Sequence, residues 1–177
     1  MPPLAWWGML VPVTMPPPTR SDSYRVCLVC MGNICRSPMA EVVLRAAVDK
    51  AGLADAVILD SAGTGAWHVG QGMNRGALAA LARRGYDGSA HRARQFKPSW
   101  FGSRDLVLAM DSSNLADLRA MGGKAELYAM AGALSAVTDI PDPYGGSAAD
   151  FDHVLALIEV ATPAILGWLD SPRPAWP

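Results

Sequence analysis

Residues 30–36 read Cys-Met-Gly-Asn-Ile-Cys-Arg, a thiol and a guanidinium at the two ends of a five-residue spacer. Five residues suffice to curl a backbone so that successive N–H groups point inward and make a nest for an anion. Met31, Gly32, Asn33, Ile34 and Cys35, together with Arg36, would form that cradle, which has the size of a phosphate dianion. Gly32 and Asn33 are the residues best able to take the left-handed backbone angles of such a curl. A thiol at a helix N-terminus beside a guanidinium ionises well below its ordinary value of about 8.5, so Cys30 is expected to be a thiolate that attacks phosphorus in line. Arg36 offers a planar fork that binds two equatorial oxygens and stays with them as charge moves in the transition state.

A bare Cys-x5-Arg spacing is common, and buried cysteines near strands are usually small apolar packing groups. The context gives the spacing its force: an apolar run precedes it, Gly-Asn lies inside it, and Ser37-Pro38 follows it, where Ser can cap a helix and Pro fits the first turn. A route through a phosphorylated sulfur also needs a group that protonates the leaving oxygen and later takes a proton from water. A carboxyl on a loop can do both. Asp142, in Pro-Asp-Pro-Tyr, is such a group, although Asp-Pro most often just starts a turn, and on the residues alone Asp139 and Asp150 are near-equal candidates.

Elements must exist to hold these groups in place. Tyr24–Cys30 is short and rich in Val and Leu, as a strand buried on both faces requires, and Pro38 to about Lys50 follows as a helix. Further strands are expected over Ala56–Gly63, Asp105–Met110 and Lys124–Met130. Further helices are expected over Asn74–Gly85, Ser112 to about Met121 and Asp150–Leu169. Strands alternating with helices imply an α/β fold: a single domain with a four-stranded parallel sheet, helices on both faces, and ligands beyond the carboxyl ends of the strands. The phosphate loop after the first strand lies at that end.

The chain has 177 residues, enough for one domain and one core. Residues 24–170 carry the fold pattern; 1–23 read as a disordered extension, with Met15 an alternative start, and 171–177 as a frayed tail. The opening apolar stretch lacks a preceding basic residue and is broken by prolines, so it reads as neither signal peptide nor anchor. With 15 basic and 16 acidic residues and no block of either sign, neither a nucleic-acid surface nor stable membrane association is expected. All three cysteines, Cys27, Cys30 and Cys35, fall within nine residues, which speaks for a reducing, cytoplasmic setting. No residues have zinc-ligand spacing, no cofactor is expected, and a monomer is the favoured state. Cys27 reads as inert core.

The run VCLVCMGNICRSPMAE resembles the signature of the low-molecular-weight protein tyrosine phosphatases. SAGTGAWHVG from Ser61 to Gly70, HRAR from His91, MDSSN from Met110 and PDPYGGSAADF from Pro141 are similar to the same family in the same order, and the first of these is most like its actinobacterial branch. The resemblance implies hydrolysis of phosphotyrosine in proteins, and of small aryl phosphates, through a phosphocysteine. It makes Cys30 the nucleophile, Arg36 the phosphate binder and Asp142 the acid. It gives Ser37 a hydrogen bond to the thiolate and groups Asn33, Ser61 and His91 in a network that holds the loop; from the residues alone, His91 would be an exposed loop histidine. It makes Trp67 and Tyr144 walls of an aromatic cleft that favours a phenyl phosphate over phosphoserine. Gly145 stands where many relatives carry a second tyrosine, which puts regulation through a tyrosine pair in doubt. Cys35 is close enough in sequence to pair with an oxidised Cys30. Arsenate reductases of this fold need resolving cysteines downstream of Cys35, and none occurs. Protein arginine phosphatases resemble the family but place threonine where this chain has Ile34. A catalytically idle phosphoprotein-binding module would lack Cys30, Arg36 or Asp142.

Overall fold

The computed structural model describes residues 16–18 and 22–171; the tails expected at 1–23 and 171–177 lie largely outside them. Four strands, β1 (Tyr24–Cys30), β2 (Val57–Gly63), β3 (Leu106–Ala109) and β4 (Glu126–Leu127), pair in parallel in the order β2-β1-β3-β4. β1 is central and almost wholly buried because its two faces feed two cores. Tyr24, Val26, Leu28 and Cys30 point to one side, against α1 (Arg36–Lys50), α2 (Arg75–Arg83) and α5 (Ala148–Leu169). Cys27 and Val29 point to the other, against α3 (Ser112–Ala120), Phe96 and the partly buried Trp100 of a 3-10 turn, Pro98–Ser103. This two-residue alternation is what a doubly covered strand demands. By length and apolar character α5 could cross a membrane, yet its Phe151, Val154, Leu155, Ile158, Ala161, Ile165 and Leu169 lie in the first core.

Two expectations need correction. The stretch Lys124–Met130 is not one strand: only Glu126–Leu127 pairs, and Tyr128–Ala131 turns into a short helix, α4. Both conformations can bury the apolar residues of KAELYAM. The helix buries Tyr128 and Ala129 fully in the first core, and Gly132 at its end packs where an added Cβ would sit 2.2 Å from Ala161 Cβ. Helix α1 also starts at Arg36 rather than Pro38, with Cys35 at the N-cap and no side-chain cap. Ser37 is therefore inside the first turn, and its hydroxyl is free for another partner.

The register sets the site. Cys30 pairs with Gly63 at the carboxyl ends of β1 and β2. A Cβ on Gly63 would lie 2.6 Å from the Met31 carbonyl, so only glycine lets the loop after β1 fold back over β2.

Candidate active site

The loop from Cys30 to Arg36 is shaped by what its carbonyls do. Cys30 O and Met31 O accept from the amides of Thr64 and Gly65, both at 2.9 Å; Ile34 O accepts from Asn74 N at 2.8 Å and Cys35 O from Met39 N at 3.1 Å. His91 Nε2–H donates to Asn33 O at 2.7 Å, which fixes the proton on that nitrogen. With these carbonyls tied outward, the amide hydrogens of the loop are turned inward. Asn33 alone of the loop residues has a positive φ, 55°. Gly32 is not left-handed; its missing side chain matters because a Cβ would stand 3.0 Å from His68 Cδ2.

Asn33 is held from every side. Its Oδ1 accepts from Arg94 N at 2.8 Å, and its Nδ2 donates to Ser37 Oγ at 2.9 Å and to Ser61 Oγ at 3.0 Å. The Ser37 oxygen lies 3.0 Å from Cys30 Sγ, and Asn33 N–H donates to the same sulfur at 3.3 Å. Since Ser37 already accepts from Asn33, its one proton goes to the sulfur at 3.0 Å or to Ala62 O at 3.3 Å. The structure thus brings together Asn33, Ser37, Ser61 and His91, and His91 is half-buried rather than an exposed loop residue. Burial, more than any other influence, holds its imidazole below the ordinary range, against the opposing pull of the Asn33 carbonyl.

Arg36 is 2% exposed. Its Nη1 donates to Asp111 Oδ2 at 2.6 Å and to Ile140 O at 3.0 Å, while Nη2 lies 3.3 Å from Asp142 Oδ2. Its buried Nε has no acceptor among the described residues. One edge of the guanidinium is therefore anchored, and the Nε–Nη2 edge is the fork available to two oxygens of an anion.

The rival carboxylates separate cleanly. Asp139 Oδ1 accepts from the amide and hydroxyl of Ser112 at the start of α3, and Asp150 forms the capping box of α5 with Ser147. Asp142 lines the cavity. Its Oδ1 accepts from Tyr144 N at 3.2 Å, and the chain then turns through Gly145, φ 75°, with Gly146 N bonded to Pro143 O at 2.9 Å. A left-handed third residue is what this tight turn requires, which gives Gly145 a local reason to be there.

These parts enclose a cavity of about 240 Å³. Its floor is Cys30, Met31, Gly32, Ile34, Cys35 and Arg36, and its walls are Trp67, His68, Asp142 and Tyr144. Cys35 is buried, and its thiol is pushed up to about 12 by that burial first and by the neighbouring Cys30 and Asp142 next. Cys27 lies outside the site in the second core, where burial and then the Asp60 carboxylate hold its thiol well above the ordinary range.

Reasoning from the residues passed over Asp111, Glu41, Arg94 and His68. Each sits inside one of the matched stretches, but Asp111 reads as an ordinary N-cap for α3, a role it also fills through Asn114 N at 2.7 Å. Its partner Arg36 is 75 positions away.

The sequence profile of the low molecular weight phosphotyrosine protein phosphatases matches residues 25–173. A low molecular weight protein-tyrosine-phosphatase of Streptomyces coelicolor is 46% identical over 152 residues, 81% of this chain and 92% of that protein. The crystal structure of a protein tyrosine phosphatase from Entamoeba histolytica superposes with a TM-score of 0.79 at 30% identity, covering 84% of this chain and 97% of that one. A Drosophila arginine phosphatase superposes with a TM-score of 0.76, also at 30% identity, over 82% and 98% of the two chains. With the profile spanning most of the chain and the loop standing after β1, the chain belongs to the low molecular weight phosphotyrosine protein phosphatase family.

Proposed function

We propose that Cys30 is the nucleophile of a phosphotyrosine hydrolysis, with Arg36 and the amides of residues 31–36 as phosphate binders and Asp142 as general acid and base. The observation that carries this is a single cavity holding Cys30, Arg36 and Asp142, although the last is more than a hundred residues from the first. The thiolate attacks phosphorus as the bond to the phenol oxygen breaks, and protonated Asp142 gives its proton to that oxygen. Water then attacks the phosphocysteine, Asp142 takes a proton from it, the P–S bond breaks, and inorganic phosphate leaves. Ser37 donates to the sulfur as it departs, and Asn33, Ser61 and His91 keep the loop in shape. Exposed Trp67 and Tyr144 give the phenyl ring two flanks.

The expected outcome for Cys30→Ser is an unaltered fold with no turnover of an aryl phosphate. Asp142→Ala is expected to slow turnover by roughly 10²–10⁴-fold. Retained turnover in Cys30→Ser would sink the assignment.

The likeness to an arginine phosphatase supplies a second reading. Ile34, which lines the cavity, speaks for the phenyl ester, because it offers no hydrogen bond to a phosphoguanidinium. Chelator-treated assays on phosphotyrosine, phosphoserine and phosphoarginine peptides separate the readings, with phosphotyrosine expected to be cleaved fastest. Cytoplasmic action rests on three free thiols in a reducing setting. In the same setting a peroxide converts Cys30 to a sulfenic acid, and Cys35 displaces water from it to form a disulfide that the cell can reduce. Cys35→Ser is expected to recover less activity after peroxide than the parent.

A further inference from the structure

The chain of hydrogen bonds behind Cys30 has a direction, and the direction is not set by its members alone. Asn33 Nδ2 can only donate, so Ser37 and Ser61 must both accept from it. Ser61 is 1% exposed, and its own proton then needs an acceptor in the interior. Glu41, in the second turn of α1, supplies one: Ser61 Oγ donates to Glu41 Oε2 at 2.6 Å. The other carboxylate oxygen takes a hydrogen bond from Arg45 Nη2 at 2.5 Å, and that nitrogen is also bonded to Leu59 O at 2.8 Å. The carboxylate is thereby held on the outer side of Ser61.

We propose that Glu41 is a positioning residue that fixes the direction of donation along Ser61, Asn33 and Ser37, and so leaves the Ser37 proton to the Cys30 sulfur at 3.0 Å, with Ala62 O at 3.3 Å the farther acceptor, and not to Asn33. If the Asn33 amide were reversed, its oxygen would face both serines. Ser61 and Ser37 would each donate to it, and Cys30 would lose its hydroxyl donor. Two contacts oppose that reversal. The Arg94 amide would meet an NH₂ group instead of Oδ1, and Glu41 would lose the Ser61 proton. Removing the carboxylate removes one of the two and leaves a buried hydroxyl that the reversed amide can satisfy.

This inference rests on Cys30 being the nucleophile, so its test compares variants that all keep Cys30. Glu41→Met and Glu41→Gln both remove the charge; only Gln keeps an acceptor within reach of Ser61. Any effect of charge on the thiolate is common to the two. The expected result is that Glu41→Met lowers kcat for an aryl phosphate about tenfold, by weakening a hydrogen bond to sulfur, with KM little changed. Its alkylation by iodoacetamide is expected to need higher pH than the parent's. Glu41→Gln retains most of the activity and the parent's alkylation profile. Glu41→Asp, one methylene short of Ser61, keeps the charge and follows Glu41→Met, which keeps the comparison open should the Met variant not fold. In a Ser61→Ala background, Glu41→Met is expected to change nothing further, because Glu41 acts only through that hydroxyl. Equal behaviour of the Met and Gln variants, or additive losses with Ser61→Ala, would overturn the proposal. Turnover surviving in Cys30→Ser would instead remove the reading beneath it.

Discussion

Arg36 shows how one residue is made to serve two masters. A guanidinium at 2% exposure is tolerable only when its charge is met, and Asp111 meets it at 2.6 Å through Nη1. Asp111 also caps α3 through its other oxygen, so replacing it by alanine would mix two losses. Asn at this position keeps the cap and removes the charge. Asp111→Asn is therefore expected to cost up to about 3 kcal/mol of stability, because the buried cation keeps only its longer contact to Asp142. It is also expected to raise KM for an aryl phosphate, because the fork is no longer held at its back; urea unfolding and steady-state kinetics on one preparation measure both. This pairing explains what local reading reaches and what it does not. Cys30, Arg36 and the inward loop are legible because their chemistry is written within seven residues. Asp111, Glu41 and His68 look like a cap, a helix-surface acid and a loop histidine until the fold sets them beside residues tens of positions away. Asp142 is set apart from Asp139 and Asp150 by resemblance, and in the structure it lines the cavity while the other two cap α3 and α5.

Among the elements, strands and helices were readable wherever burial imposed a period. β1 differs in no residue from its expected span, and β2, β3, α2 and α3 shift only at their ends. The fourth strand failed because a seven-residue stretch with Lys124 and Glu126 among its apolar residues carries no clear period, and packing against α5 chose a helical turn for Tyr128–Ala131. That turn ends in a Schellman arrangement: Leu134 N bonds to Ala129 O at 2.9 Å and Ala133 N to Met130 O at 3.1 Å. Ala133 occupies the left-handed position, φ 54°, that glycine usually fills. Ala133→Gly relieves that strain at the cost of a freer unfolded chain, and a net gain of about 0.5 kcal/mol is expected in chemical denaturation. One residue earlier the sign reverses. Gly132→Ala drives a methyl into Ala161 of α5, and a loss of about 1–3 kcal/mol is expected by the same measurement.

For the molecule as a whole, stability and the loop's support meet in His91, because the ring that braces Asn33 is also a half-buried base. Burial keeps its imidazole below the ordinary value of 6.5, so over the range between the two values the unfolded chain binds a proton there that the folded protein does not. Stability is therefore complete above about pH 6.5 and declines as pH falls through the folded-state value. The carboxylates act lower down. Asp87 is held below its ordinary 3.8 by the Ser89 hydroxyl and then the Ser89 amide, and Asp150 by the Ser147 amide and then its hydroxyl, so their contributions are lost only in stronger acid. The two windows do not overlap, and comparison with a His91 variant subtracts the two other histidines, His68 and His153. Thermal melts at about pH 7.5 and about pH 5.5 are expected to show a larger drop in Tm for the parent than for His91→Gln, since glutamine can still donate to Asn33 O but takes up no proton. An equal drop in both proteins would show that the loop's brace does not titrate in that window.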